Sequence, residues 1–161
     1  MKTRKNHLVF ALRILISFLF LLSAFAKLYP IPIFGITKIF EQGQLIPMGF
    51  SESIAPYFSR FIIGAELFLA ITILFNNYLK KIIVPLSFIM IAIFSIHLST
   101  QIFSGNSENC GCFGELIPMT PFEALIKNIF TLIVLAFIYI KSVDLKSGLS
   151  NLIILFLLIS T

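Results

Sequence analysis

Four long apolar runs constrain this chain more than any other feature of its sequence. They extend roughly over Leu8 to Leu28, Phe58 to Phe75, Ile82 to Phe103 and Phe122 to Ile140. Each is close to the ~20 residues that a helix needs to cross ~30 Å of hydrocarbon. A lone strand would leave backbone groups unpaired in lipid, so the runs predict helices. Because 58% of the residues are hydrophobic and only 12% are charged, the predicted fold is an all-α polytopic membrane protein, a four-helix transmembrane bundle.

The two ends of this four-span unit need separate interpretations. We expect residues 1–146 to form one membrane domain and residues 147–161 to form an apolar tail. The tail from Leu149 to Ser160 reaches only ~18 Å as a helix, so it is either the start of a fifth span or an interfacial segment. A secretory signal cleaved after Ala24-Phe25-Ala26 is the alternative for the first run, but that run is long enough to span, which favours retention.

The net charge of +5 is explained by membrane topology. Basic residues precede span one, separate spans two and three, and follow span four: Lys2, Arg4, Lys5, Lys80, Lys81, Lys141 and Lys146. By the positive-inside rule these segments are predicted to be cytoplasmic, which places the loop after span three in a periplasm or its equivalent. We therefore expect a multi-pass protein of a bacterial inner membrane with a cytoplasmic N-terminus. No basic stripe with interleaved aromatic residues remains, so no nucleic-acid partner is expected.

The outer segments contain two local structural signals. Between spans one and two the chain is rich in proline and glycine yet apolar, and Ile36 to Gln42 is predicted to form a short helix that roofs the bundle. After span three, Thr120-Pro121-Phe122-Glu123 has the pattern of a capping box with proline at the first helical position. Span four should therefore begin there and direct the positive end of its dipole at the preceding loop.

That loop holds the two cysteines of the chain, Cys110 and Cys112, which are separated only by Gly111. A disulfide across one residue closes a small ring whose torsions are hard to satisfy, so it should be strained and readily reduced. Such a ring also constrains little of the unfolded chain, so it would add little to stability. We predict a dithiol/disulfide pair in which one cysteine attacks and the other resolves, within a loop that also contains Phe113 and Gly114.

Two other interpretations of the cysteine pair stay open at this point. The thiols could be unrelated buried side chains, although the loop around them is polar. They could also bind Cu(I) or Zn together with His97. Two thiols and one distant histidine fall short of a closed zinc set, so no metal ligands are predicted.

Polar residues inside the spans form a second candidate site. Ionisable groups are costly in hydrocarbon and usually face a partner or a cavity. With a helical rise of about 1.5 Å per residue, six polar residues are expected to gather beneath the cysteine loop: Lys27, Glu66, His97, Gln101, Lys127 and Asn128. Glu66 is expected to pair with Lys27 or Lys127, and His97 to carry protons. The alternative is structural: Lys27 extends to the surface and Glu66 pairs with Lys127.

These residues together resemble one protein family. Cys110 to Gly114 in the loop after span three, Lys127-Asn128 early in span four and Glu66 in span two resemble the MauE family of methylamine-utilisation membrane proteins. The stretch from Arg13 to Lys27 is similar to the first helix of the wider DoxX-like group. The resemblance implies a four-helix, redox-associated membrane protein. The named member of the family is linked to maturation of the disulfide-rich small subunit of methylamine dehydrogenase.

The residues and the resemblance predict a membrane protein that exchanges disulfides or electrons between its cysteine pair and an extracytoplasmic protein. Relatives occur beside periplasmic thioredoxin-like proteins, so the expected partner is a thioredoxin-like or maturing disulfide-containing protein. Onward transfer to a quinone is an analogy with other four-helix membrane thiol oxidases. A non-enzymatic membrane scaffold or assembly factor is the main competing class. A small-molecule transporter has less support, because inverted repeats are absent.

Overall fold

A computed structural model of the chain describes residues 2–29, 38–75, 78–105, 109–113 and 116–142. The regular elements within these residues are helices, and no strand occurs among them. In chain order they are α1 (Lys2–Leu28), α2 (Lys38–Phe40, continued by a π-helical turn over Glu41–Leu45), α3 (Ala55–Thr72), α4 (Val84–Phe103, preceded by a π-helical turn over Leu79–Ile83) and α5 (Pro121–Lys141). The predicted all-α class is therefore confirmed.

Four of these helices are long and apolar enough to cross a membrane: His7–Leu28, Ala55–Thr72, Leu79–Phe103 and Pro121–Lys141. The chain is thus a multi-pass membrane protein with the four predicted spans. The second span begins and ends three residues earlier than predicted, at Ala55 and Thr72. It begins earlier because Pro56 has a backbone angle suited to the first helical turn. It ends earlier because Ile73 to Phe75 form a turn.

The four spans pack mainly as two pairs, α1 against α3 and α4 against α5, and α1 also contacts α5. The largest hydrophobic core lies in the half of the bundle that contains the end of α3 and the beginning of α4. Its members include Ile16, Phe20, Leu69, Leu79 and Leu135. Large apolar side chains also point outward, as Phe18, Phe61, Ile96 and Ile133 do. Outward apolar surface suits a bundle in lipid, because acyl chains are as apolar as these side chains.

A buried cation, Arg13, lies in the same half of the bundle. Its side chain donates hydrogen bonds from Nε to the carbonyl oxygen of Ile73 at 2.7 Å and from Nη2 to that of Leu74 at 2.5 Å. These carbonyls follow the end of α3, where a helix leaves its last carbonyl groups without internal partners. A cation there also compensates the negative end of the helix dipole. Arg13 therefore fixes α1 against the end of α3.

The short helix predicted over Ile36 to Gln42 is present but extends further. Its described part begins at Lys38 and continues to Leu45 through the π-helical turn. Phe40 and Leu45 are buried in a cluster with side chains of α3. These apolar contacts provide a reason for the helix to continue past Gln42, which short-range sequence signals did not indicate.

The predicted beginning of α5 is confirmed. Thr120 Oγ1 accepts a hydrogen bond from the backbone N–H of Glu123 at 3.3 Å, and Glu123 Oε2 accepts one from the N–H of Thr120 at 2.9 Å. Pro121 occupies the first helical turn. The apolar tail, residues 147–161, and with it the expected start of a fifth span, lies outside the described residues, as does Gly114. The division of the chain at residue 146 stays a prediction.

Candidate dithiol site

The cysteine loop holds its two thiols together in a fixed conformation. The Sγ atoms of Cys110 and Cys112 lie 2.8 Å apart, and the two side chains are only 1% and 7% exposed. The Cys110 N–H donates to the carbonyl oxygen of Met119 at 2.9 Å, and Asn109 Oδ1 accepts from the N–H of Gly111 at 3.1 Å. Gly111 has φ +72°, a left-handed conformation that glycine adopts without steric cost. The conformation of the loop thus places the two sulfur atoms next to each other.

Residues 38–45, which we call the covering segment, lie directly on this loop. A Cβ atom on Gly43 would be 2.9 Å from the carbonyl oxygen of Cys110, and one on Gly111 would be 2.5 Å from the carbonyl oxygen of Ile39. Cβ atoms essentially never lie this close to a backbone atom. The two segments therefore touch only because each has a glycine at the point of contact. The covering segment therefore shields Cys110 from approach across this face.

Gln44 of the covering segment contacts one of the sulfurs. Its side chain is buried, and Nε2 donates a hydrogen bond to Cys112 Sγ at 2.8 Å. Sequence reasoning did not find this residue, because 68 positions separate the two side chains. The sequence carried no signal that distinguishes Gln44, because Gln42 in the same segment has the same side chain.

Beneath the thiols, Lys27 and Glu66 form a buried ion pair. Lys27 Nζ donates to Glu66 Oε1 at 2.8 Å and to Oε2 at 2.9 Å, and it also donates to Ser23 Oγ at 2.6 Å. Ser23 Oγ lies 3.1 Å from Glu66 Oε1 and 3.4 Å from the carbonyl oxygen of Cys112. Of the two lysines considered for Glu66, the structure thus selects Lys27. Because Lys27 is only 4% exposed, it does not extend to the surface.

Lys127 occupies a different environment. Its Nζ atom lies 4.3 Å from the centroid of the Phe113 ring, a cation–π contact. Among the residues that the structure describes, the ion pair found is between Lys27 and Glu66, and Lys127 has no carboxylate within salt-bridge distance. Asn128, the next residue on α5, is buried. Both residues line the cavity below Cys112.

This cavity has a volume of about 60 Å³. Its polar lining includes Ser23, Lys27, Gln44, Glu66, Cys112, Lys127 and Asn128, and α1 and α4 supply apolar walls. Onward transfer of electrons to a quinone stays a prediction by analogy.

His97 and Gln101 lie apart from the cavity. Gln101 Nε2 donates to the carbonyl oxygen of Gly43 at 2.7 Å and lies 3.1 Å from His97 Nε2. These two side chains thus support the covering segment, whereas the other four members of the predicted cluster border the cavity. Within the described parts of the chain, no three His, Cys, Asp or Glu side chains gather as metal ligands.

The two thiols differ in their acidity. The hydrogen bond with Cys112 lowers the pKa of Cys110 to about 7, with a smaller contribution from the Lys127 cation, and burial opposes this shift. The same hydrogen bond, together with burial and the nearby Cys110 charge, raises the pKa of Cys112. The thiolate is the reactive form of cysteine, so Cys110 is the better nucleophile of the pair near neutral pH.

Comparison with known proteins identifies the group to which this chain is related. A profile described as "Methylamine utilisation protein MauE" matches residues 5–141. A relative named Protein TlpB, from Flavobacterium psychrophilum, is 54% identical over 140 residues, which cover 86% of this chain and 38% of the relative. The chain thus spans less than half the length of that relative. No solved structure matches the chain. Because the profile extends over all four spans and both cysteines, the chain belongs to the MauE family, as the resemblance of its motifs predicted.

Proposed function

We propose that this protein is a membrane thiol-disulfide oxidoreductase. Its Cys110-Gly111-Cys112 loop exchanges disulfides with an extracytoplasmic thioredoxin-like or maturing disulfide-containing protein. The observation that carries the proposal is the pair of sulfurs 2.8 Å apart in a loop held by backbone hydrogen bonds. Membership in a family described by methylamine utilisation supports including a maturing protein of the methylamine-dehydrogenase type among the candidate substrates.

The exchange balances without a cofactor. The Cys110 thiolate attacks one sulfur of the partner's disulfide, which forms a mixed disulfide, breaks the partner's S–S bond and releases a partner thiolate. Cys112 transfers its proton to that thiolate, attacks Cys110 sulfur and displaces the second partner thiolate. The Cys110–Cys112 disulfide is then complete. The partner has gained the two electrons that the cysteines have lost, and the reverse sequence oxidises a dithiol partner.

The distribution of basic residues supports an outward-facing loop. Lys80 and Lys81 follow α3, and Lys141 ends α5, so the basic segments lie at the end of the bundle away from the cysteines. Under the positive-inside rule that end is cytoplasmic. The dithiol then faces the compartment in which disulfides persist, a periplasm or its equivalent.

Burial of both thiols sets a condition on this function. A partner's sulfur cannot approach Cys110 while the covering segment rests on the loop, since Gly43 touches the Cys110 backbone. Exchange therefore requires the covering segment to move when the partner docks. The same burial is the observation that favours the competing function, a non-enzymatic membrane scaffold in which the loop serves only as a structural element.

Trapping of the mixed disulfide tests the proposal. In Cys112→Ala the resolving thiol is absent, so we expect a covalent adduct between Cys110 and its partner on a non-reducing gel, which reductant removes. Cys110→Ala is the matched control and should trap little, because the pKa of Cys112 is raised. The double variant should trap nothing and behave as a deletion.

Two other outcomes contradict the exchange reaction. If both single variants lose bound copper or zinc and neither traps a protein, the thiols are metal ligands. If neither variant traps a protein, no metal is present and function is retained, the thiols are incidental and the scaffold function replaces the oxidoreductase.

A further inference from the structure

Among the described residues that border the cavity, the charges do not balance. Two ammonium groups, Lys27 and Lys127, and one carboxylate, Glu66, border it. Lys27 binds both oxygens of Glu66, so this pair neutralises itself. Lys127 instead contacts the Phe113 ring and, among the described residues, has no ion-pair partner. An uncompensated cation is costly at membrane depth, so its retention calls for an anion that is present in at least one state of the protein.

The neighbours of Lys127 identify that anion. The groups that act on it electrostatically are Lys27 from α1, Glu66 from α3, and Cys110 and Cys112 from the loop. Glu66 is already paired with Lys27. Among the residues that the structure describes around Lys127, the remaining source of negative charge is a cysteine thiolate, which exists only when the pair is reduced. In agreement, the Lys127 cation lowers the pKa of both Cys110 and Cys112, although it is not the largest contribution to either.

We infer that Lys127 is a positioning residue whose ammonium group is the counter-ion of the cysteine thiolate and sets the reduction potential of the Cys110–Cys112 pair. The inference rests on the proposed dithiol function and adds a residue to it. A counter-ion stabilises the reduced, deprotonated pair but not the disulfide. Stabilising the reduced form makes a disulfide a stronger oxidant. Lys127 therefore favours transfer of oxidising equivalents from this protein to a dithiol partner.

Equilibration with glutathione tests this role. The full chain is purified in detergent and incubated at graded ratios of reduced to oxidised glutathione, quenched with acid, and its free thiols are counted after denaturation. Lys127→Met should shift the equilibrium toward the disulfide about tenfold, which corresponds to ~30 mV for a two-electron couple. Lys127→Arg keeps the charge and should stay near the wild-type value.

Lys141→Met is the matched control. It removes the same charge from the same helix, at an exposed position about 21 Å away along α5 by the helical rise. It should leave the equilibrium unchanged. Should Lys127→Met fail to reach the membrane, Lys127→Gln replaces it, since glutamine removes the charge and keeps a polar side chain.

A second measurement separates this inference from the proposed function. The pH profile of thiol alkylation reports the thiolate without any exchange reaction, and its midpoint should rise in Lys127→Met and Lys127→Gln. If these variants match wild type in both potential and midpoint, Lys127 only packs against Phe113, and the inference is wrong. If wild-type thiols never equilibrate with glutathione, the proposed exchange fails, while the alkylation midpoint still decides the role of Lys127.

Discussion

Two cations in opposite halves of the bundle, the buried Arg13 and the partly buried Lys127, have different kinds of partners. Arg13 is held by the backbone carbonyls of Ile73 and Leu74, whose charge does not depend on the redox state of the thiols. Lys127 has an aromatic ring and two thiols nearby, and the charge of the thiols changes with redox state. The comparison indicates that a cation with permanent partners stabilises the helix arrangement, whereas one without them is available to the chemistry of the site.

The Lys27–Glu66 pair extends this comparison, because it lies in the thiol half yet has permanent partners. Glu66→Gln should lower the free energy of unfolding by about 3–5 kcal/mol, since it leaves the Lys27 charge buried without its partner. The double variant Lys27→Met/Glu66→Gln should recover most of this loss. Thermal unfolding in detergent measures both. If the double variant is no more stable than Glu66→Gln, the two side chains stabilise the fold by more than neutralising each other's charge.

Arg13 and Lys127 should respond oppositely to loss of charge. Arg13→Met should lower the free energy of unfolding by about 2–3 kcal/mol, because it removes charged hydrogen bonds to two carbonyl groups, a buried one at Ile73 and a partly buried one at Leu74. Under oxidising conditions Lys127→Met should leave the unfolding temperature unchanged or higher, because the cation then lacks its counter-ion. In glutathione equilibration the order should be reversed: Lys127→Met should shift the equilibrium of the cysteine pair, and Arg13→Met should leave it unchanged. Equal losses of stability in the two variants would contradict the comparison.

Gly43→Ala tests the covering segment. The added Cβ would meet the Cys110 carbonyl at 2.9 Å, so the segment must shift away from the loop. Overpacking of this kind costs about 1–3 kcal/mol. We expect alkylation of the thiols by an impermeant maleimide to become about tenfold faster. This factor corresponds to a decrease of ~1.4 kcal/mol in the free energy needed to move the covering segment off the loop.

Gln42→Ala is the control for Gly43→Ala, because Gln42 is the adjacent residue and its side chain is exposed. This variant should leave the labelling rate unchanged.

The same labelling reports the side of the membrane on which the cysteine loop lies. If the loop faces outward, the thiols should be labelled in intact cells. Labelling only in lysed cells would contradict the proposed topology.

The smallest expected effect concerns acidity. Alkylation of the reduced protein by a small uncharged reagent should accelerate as the pH rises through about 7, where the Cys110 thiol loses its proton. In Cys112→Ala the hydrogen bond that favours the thiolate is gone, so the pKa of Cys110 should rise and its rate at neutral pH should fall. If the pH midpoint of alkylation is the same in Cys112→Ala as in wild type, the contact with Cys112 does not lower the pKa of Cys110.

Local patterns were sufficient to predict the elements that depend on nearby residues. The four apolar runs gave the spans, because backbone hydrogen bonding in lipid leaves helices as the solution for such segments. Thr120, Pro121 and Glu123 gave the beginning of α5, because a capping box closes within one turn. Membership in the MauE family was also visible in the cysteine motif, Glu66 and Lys127-Asn128.

The tertiary structure decided which of these residues meet. Depth along a helix follows from counting residues, but rotation about its axis is set by packing against neighbouring helices. For this reason Glu66 pairs with Lys27 rather than Lys127, and Gln101 contacts Gly43 rather than the cavity. The contact of Gln44 with Cys112 and the fit of Gly43 against the cysteine loop join segments far apart in the chain. The sequence by itself determined a four-span bundle with a paired dithiol, and only the packing of the covering segment and helices decided that the dithiol is buried and which cation remains beside it.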